Sequence, residues 1–161
     1  YGLDGRDTIL GGNDNDSIYG GNDVDKLLGQ SGNDRLDGGA GTDFLTGGSG
    51  ADVFVFSDIT HTGVGRYKRD EVRDFSTAEG DVIDLTGIDA TPGYGGNQAF
   101  NVVSDFTGKS GELTIKQYTF SGVDVSIISM DIDGDGKVDS QVYVVDVDGT
   151  GISAANGDIL L

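Results

Sequence analysis

From Gly2 through residue 55 the chain repeats itself every nine residues. Six copies open at Gly2, Gly11, Gly20, Gly29, Gly38 and Gly47, and their sixth places are Asp7, Asp16, Asp25, Asp34, Asp43 and Asp52 without exception. The eighth places are Ile9, Ile18, Leu27, Leu36, Leu45 and Phe54. Each copy begins with Gly, Asn and Asp, residues that reach positive φ at small cost, and ends in about three residues able to extend as a strand. A turn and a short strand, taken twice, close one coil of a solenoid. Copies n and n+2 then stack directly, and the eighth-place side chains point inward as a narrow apolar seam.

That arrangement fixes the chemistry of the turns. Two columns of Asp stacked at roughly the ~5 Å strand spacing repel one another, so the coils need a counter-charge. A hard divalent cation between coils supplies it, and Ca²⁺ accepts six to eight oxygen ligands in flexible geometry. The whole chain is acidic: 28 Asp+Glu against 10 Lys+Arg give a net charge of −18, which argues against nucleic acid as a partner. Only Glu71, Glu79 and Glu112 are Glu; the rest are Asp. Cys is absent and His61 is the single His, so a disulfide framework, a thiolate site and an H-E-x-x-H motif are all excluded. No run approaches the roughly 18 apolar residues of a membrane helix, and no basic-then-apolar leader precedes the repeats. With Tyr1 in first place, the chain reads as an excised piece of a longer protein.

After residue 56 glycine thins and strand-like runs appear at 81–85, 112–118, 123–128 and 141–147, with a single helical turn at Ser153 to Asn156. The expected fold is all-β: a parallel β-roll over residues 1–56 continuing into an antiparallel, β-sandwich-like part over 57–161, the two packed as one continuous domain.

The repeat matches G-G-x-G-x-D-x-U-x, the calcium-binding nonapeptide of RTX proteins. The resemblance extends beyond it. Gly47–Ser57, Arg69–Phe75, Gly80–Asp89, Phe106–Leu113, Asp131–Asp139 and Ala154–Leu161 together resemble the C-terminal domain of serralysin-type RTX proteins, and the chain is similar to the R-modules of bacterial mannuronan C5-epimerases. The resemblance implies that each ion sits between two stacked turns. The earlier turn gives its second and fourth carbonyls, the later its first and third, and each adds its sixth-place carboxylate. Carried over, Asp7 pairs with Asp25, Asp25 with Asp43, Asp16 with Asp34, and Asp34 with Asp52. That makes four interior Ca²⁺ sites, with one or two more at the roll end. The implied carbonyl donors are Leu3, Gly5, Gly12, Asp14, Gly20, Gly21, Asn22, Asp23, Gly29, Gln30, Ser31, Gly32, Gly38, Ala40, Gly47 and Ser49, and Gly39, Gly41, Gly48 and Gly50 lie in the same turns. Asp14 and Asp23 replace the usual fourth-place Gly, and Asp tolerates the left-handed region. At the roll end, Asp70 matches one of the family's acids. His61 stands where the family pattern has another, a departure that bears on the outermost site.

Asp131, Asp133 and Asp135 before Gly136 match the first half of an EF-hand-like loop, whose twelfth-place Glu is here Val142; Asp139 is a partial substitute. An Asp/Gly turn between two strands fits the same residues equally well. Other motifs fail: Gly108-Lys109-Ser110 lacks a P-loop's first Gly, since residue 103 is Val, and Gly48 and Gly50 are followed by Val53 where a dinucleotide fingerprint needs Gly. A glycosidase carboxylate pair has no support beside the calcium period. The basic cluster Arg66, Lys68, Arg69 and Arg73 reads either as a solvated face or as a contact for a polyanionic glycan such as alginate.

The reading is a non-catalytic, calcium-binding RTX module of a secreted, extracellular protein of a Gram-negative bacterium. It folds on Ca²⁺ outside the cell, and Asp158, Ile159, Leu160 and Leu161 resemble the family's uncleaved type I secretion signal. Its expected partners are calcium, the type I secretion machinery and the upstream domain of a parent protein, itself an extracellular enzyme such as a metalloprotease, epimerase or glycanase. A monomer is expected. Two rivals stand beside it: a polysaccharide-binding accessory module of an epimerase or glycanase, and the terminal segment of an RTX adhesin.

Overall fold

A computed structural model describes residues 1–93 and 95–161. Along the repeats lie β1 (Leu3–Asp4), β2 (Thr8–Gly12), β3 (Ser17–Asn22), β4 (Lys26–Ser31), β5 (Arg35–Ala40), β6 (Phe44–Ser49) and β7 (Val53–Val55). Odd strands pair in parallel to form one sheet, even strands the other. Ile9 stands opposite Leu27 and Leu27 opposite Leu45; Ile18 stands opposite Leu36 and Leu36 opposite Phe54. Each pairing spans two nonapeptides, so a coil is two repeats and the eighth-place side chains stack. Leu27, Leu36, Leu45 and Phe54 are fully buried, whereas Ile9, in the first coil, is only partly covered.

Backbone conformation in the turns follows the same period. Asp14 and Asp23 hold left-handed φ of 73° and 77°. So do Leu3 and Gln30, both at 84°, in the second place where other repeats carry Gly. Each of these two costs roughly 1–2 kcal/mol against a glycine there.

Past the repeats come β8 (Asp70–Phe75), β9 (Val82–Asp84), β10 (Asn101–Val102), β11 (Glu112–Phe120), β12 (Val123–Asp131), β13 (Ser140–Asp146) and β14 (Ile159–Leu160). Among the described residues, antiparallel pairing is confined to β11–β12 and β12–β13. The other tail strands join in parallel: β8 on β6 and β13 on β8 in the even sheet, β9 on β7 and β14 on β9 in the odd one. The tail therefore prolongs both sheets of the roll before it turns antiparallel. Residues 50–69, β7 among them, carry the chain from β6 back to its parallel partner β8, longer than the dozen or so residues such a crossover needs. Val72, Phe75, Ile83, Leu113, Ile128, Met130, Val142 and Ile159 continue the seam, and the Phe54 and Phe75 rings lie 6.4 Å apart. The expected helical turn is a 3₁₀ turn, Ala154–Asn156, with Ser153 Oγ accepting from Ala155 N. Among the described residues no helix is long and apolar enough to cross a membrane.

Candidate metal centre

The stacked turns place the sixth-place Asp side chains in two columns with one repeated contact. Oδ1 of Asp25 accepts the backbone N–H of Asp7, and Oδ1 of Asp43 accepts that of Asp25, each at 2.8 Å. In the second column Asp34 receives Asp16 and Asp52 receives Asp34, again at 2.8 Å. Both columns run on into the tail. Asp70 Oδ1 accepts the Asp43 N–H at 2.8 Å, and Asp81 Oδ1 accepts the Asp52 N–H at 2.9 Å.

The second carboxylate oxygen behaves differently. Oδ2 of Asp7, Asp16, Asp25, Asp34, Asp43 and Asp52 is buried with no hydrogen-bond partner. A buried carboxylate oxygen left unpaired is costly, so six in register mark an environment that lacks a positive group. The space they face is lined by oxygen. A methyl built on Gly20 would lie 2.4 Å from Gly38 O and 2.5 Å from Asp25 Oδ2; one on Gly29 would lie 2.4 Å from Gly47 O and 2.3 Å from Asp34 Oδ2. These separations lie far inside van der Waals contact, so only Gly fits the first place, and a carbonyl and a carboxylate oxygen converge beside it. First-place carbonyls thus face back toward the preceding coil. Second- and fourth-place carbonyls face forward: Leu3 O lies against Gly21, Asp14 O against Gly32, Gly21 O against Gly39, Asp23 O against Gly41, Gln30 O against Gly48, and Gly32 O against Gly50. The donor set, carboxylate plus carbonyl, suits a hard cation, and the turns leave no room for a side chain.

Burial shifts the acids. Desolvation pushes the Asp43 and Asp52 carboxyls up to about 7 and that of Asp70 up to about 8, and neighbouring carboxylates add to the rise while the column N–H bonds oppose it. Asp81 is pushed up to about 6 for the same reason.

At the roll end the structure departs from a simple continuation of the register. His61 lies in the loop between β7 and β8, half-buried, with its carbonyl accepting Gly41 N–H at 3.3 Å. Asp81 takes the column position after Asp52, its Oδ2 held by Ser76 N–H at 2.9 Å. Asp74 closes the last turn, receiving Gly47 N–H and Gly48 N–H at 2.9 Å each. Neither acid follows the nine-residue period, and the run from Gly80 to Leu85 carries a strand signal and part of the family resemblance but no repeat.

In the Asp131 loop the structure brings together Asp131, Asp133 and Asp139, whose carboxylate oxygens lie within 4.8 Å of one another. Asp135 stands outside this group and is engaged by its neighbour Lys137, through both N–H and ammonium. Asp131 is fully buried, but its oxygens already accept Gly134 N–H and Gly136 N–H at 2.8 and 2.9 Å, as an Asp/Gly turn requires.

The basic cluster divides. Arg66 and Lys68 are exposed, while Arg69 stacks 4.6 Å over the Tyr143 ring and Arg73 lies 4.1 Å over Phe44. Arg66, Arg69, Glu71, Phe120 and Tyr143 line a groove of 480 Å³ on the outer face of the even sheet. At the C-terminal end, Asp158 and Ile159 are buried. Asp158 O accepts Ile83 N–H, Leu160 O accepts Leu85 N–H, and Asp158 Oδ2 receives Ser153 N–H at 2.9 Å.

A roll of parallel coils with paired Asp columns has a counterpart among known sequences: the family model described as Peptidase M10 serralysin C terminal matches residues 7–160. The chain belongs to this family. No curated protein sequence matches it. The serralysin C-terminal fold of this chain is also similar to two solution structures from the Azotobacter vinelandii mannuronan C5-epimerase. The AlgE6R3 subunit has a TM-score of 0.68 at 25% identity, over 96% of this chain and 77% of that one. The AlgE6R2 subunit has a TM-score of 0.61 at 23% identity, over 97% and 91%.

Proposed function

We propose that the chain is the calcium-binding folding module of a secreted bacterial protein, non-catalytic in itself. The observation that carries this reading is the set of six buried, unpartnered Oδ2 atoms, each facing an oxygen-lined space between coils. The proposed sites are Asp7/Asp25, Asp16/Asp34, Asp25/Asp43 and Asp34/Asp52, closed at the tail by Asp43/Asp70 and Asp52/Asp81. Ca²⁺ would supply the charge that the columns lack. The chain's own residues hold each carboxylate by a backbone N–H, aim carbonyls at the same point and keep β-carbons out of it. Where calcium is submicromolar, carboxylate repulsion and the backbone entropy of 29 Gly favour the open chain, fit to thread a channel. Outside, calcium near the ~10⁻⁴–10⁻³ M affinities of extracellular modules folds it. In this reading Asp158 to Leu161 serve as the type I export signal, and the parent's activity lies outside this chain. Far-UV circular dichroism tests it: a largely disordered spectrum in EGTA should become a β spectrum in millimolar Ca²⁺, and a calcium-independent β spectrum sinks the proposal.

A second reading is supported by the Arg69–Tyr143 stack, which places a cation and a flat ring in the groove that Arg66 and Phe120 also line, with a further Arg73–Phe44 stack on β8 and β6. That chemistry suits a carboxylated polysaccharide, consistent with the similarity to modules of a mannuronan epimerase.

A further inference from the structure

We infer that the β11–β12 hairpin tip and the loop between β7 and β8 form a docking surface for an anionic phospholipid bilayer. Side chains alternate across a sheet, so Tyr118 and Phe120 of β11 stand on one face, their rings stacked 5.8 Å apart. Phe120 pairs with Val123, and the Asp124–Asp146 register sets Val147 next to Val123. Tyr118, Phe120, Val123 and Val147 are 43%, 57%, 47% and 58% exposed. Single apolar side chains on a surface are ordinary, but an adjacent group of this kind marks a place of contact.

The loop between β7 and β8 brings cations to the same end. Phe120 shares the 480 Å³ groove with Arg66 and Arg69. Arg66 lies 5.9 Å over the ring of Tyr67, which is 85% exposed, and Lys68 is exposed beside it. Among the described residues Arg66, Lys68 and Arg69 make no salt bridge, although the chain carries 28 acids against 10 bases. Unpaired cations thus border exposed rings and aliphatic chains.

This combination selects the occupant. Tyr rings favour the membrane–water boundary, aliphatic tips gain by entering the acyl region, and basic side chains are drawn to anionic headgroups. A polysaccharide could meet the arginines and stack on the rings, but it would gain nothing from Val123 and Val147, against which its hydroxyls would lose water. A second copy docked on the same face would set cations against cations. The net charge of −18 does not forbid the contact. Exposed charges more than about 8 Å away are largely screened at physiological ionic strength, so the local cations decide.

The test uses the chain folded in calcium with vesicles of equimolar phosphatidylglycerol and phosphatidylcholine, and with pure phosphatidylcholine vesicles beside them. In vesicle sedimentation the unaltered chain should bind the mixed vesicles, and the neutral ones several-fold less. Phe120→Ser with Val123→Ser, and separately Arg66→Ala with Lys68→Ala, should each lower the partition coefficient about 10-fold, with circular dichroism and calcium stoichiometry unchanged. The chain has no Trp, so Phe120→Trp supplies a single reporter. Its emission should shift to the blue on mixed vesicles and be quenched by brominated acyl chains, while Leu160→Trp, on the odd sheet, should show neither effect. The inference is overturned if the unaltered chain stays off the mixed vesicles or if alginate oligomers bind this face and vesicles do not. It is overturned equally if the Phe120 and Val123 variant binds as well as the unaltered chain, which would leave calcium bridging to the acids as the cause. A dimer in sedimentation velocity that this variant alone fails to form also overturns it. No variant touches the Asp columns, so lost vesicle binding at intact calcium stoichiometry bears on this inference and not on the calcium reading.

Discussion

Asp34 both gives and receives in its column: its N–H donates to Oδ1 of Asp52 at 2.8 Å, while its own Oδ1 accepts the N–H of Asp16 at 2.8 Å. An interior Asp therefore borders two inter-coil spaces, and Asp7, in the first coil, borders one. Asp34→Asn should cost two calcium ions by equilibrium dialysis, and Asp7→Asn one. Asp34→Ala should also lower the melting temperature in calcium further than Asp7→Ala. It strands the Asp16 N–H without its acceptor, at about 1–3 kcal/mol. Equal calcium losses from the two Asn variants would contradict the stacking.

The first-place glycines give a second, independent probe. A methyl on Gly20 would clash with Gly38 O at 2.4 Å and Asp25 Oδ2 at 2.5 Å and push both oxygens out of place. Gly20→Ala should abolish the ion between those coils. Gly122 has φ 81° with nothing within 4 Å of its β-carbon position, so Gly122→Ala should cost about 1–2 kcal/mol of stability through backbone strain and leave calcium stoichiometry intact. Thermal melts with parallel calcium titrations separate the two effects.

Acidity should replace calcium in part. Burial raises the Asp43 and Asp52 carboxyls from the ordinary 3.8 up to about 7, and Asp70 up to about 8. Without metal, the folded chain therefore holds protons that the unfolded chain has released. The stability these groups contribute is fully present below about 3.8 and is lost as pH rises through 7 to 8. In EGTA, β structure and melting temperature should be higher at pH 5 than at pH 8. In calcium the trend reverses for binding, since protons compete for the same oxygens, and the apparent calcium affinity should fall between pH 8 and pH 5. A metal-free chain more stable at pH 8 would contradict the assignment.

Much of this was legible because a coil is twice a nine-residue period: the pairing of Ile9 with Leu27, the seam and the two Asp columns all follow from one number. Alternation likewise marked β13, buried at every second residue, whereas β11 passes from buried to exposed along its length and β12 is mostly buried in its second half. What lay outside the sequence was the roll end. Asp81 follows Asp52 at no multiple of nine, and its place is set by β9 pairing on β7, a long-range choice that no local pattern encodes. His61 shows the converse, keeping the period while the chain leaves the coil. Leu3 and Gln30 reach left-handed φ because stacked neighbours impose it, which propensity alone would not suggest.

The groove on the even sheet predicts its own outcome. Arg69→Ala and Arg73→Ala remove the cations that stack on Tyr143 and Phe44; because Arg69 adjoins Asp70 and Arg73 adjoins Asp74, calcium stoichiometry is measured beside the affinity. If the groove takes a carboxylated polysaccharide, alginate oligomers should bind the folded chain and the double variant should lose about 10-fold in affinity, near 1.4 kcal/mol, with calcium stoichiometry unchanged. Calorimetric titration with no heat from the unaltered chain removes the polysaccharide reading.

The end of the chain calls for a more careful variant than truncation. Ile159 is buried, and Leu160 O accepts Leu85 N–H, so deleting Ile159 to Leu161 strips β14 from the odd sheet and leaves only the Asp158 O contact to Ile83 N–H. Removing one buried Ile costs about 2–5 kcal/mol, enough to confound export with folding. Leu160 is 45% exposed, and Leu160→Asp changes the terminal apolar run while sparing the Ile159 contact. In a type I reporter strain the Leu160→Asp chain should be exported several-fold less than the unaltered chain, and the purified variant should still fold in calcium. Unimpaired export with normal folding would show that the terminal run is only a strand.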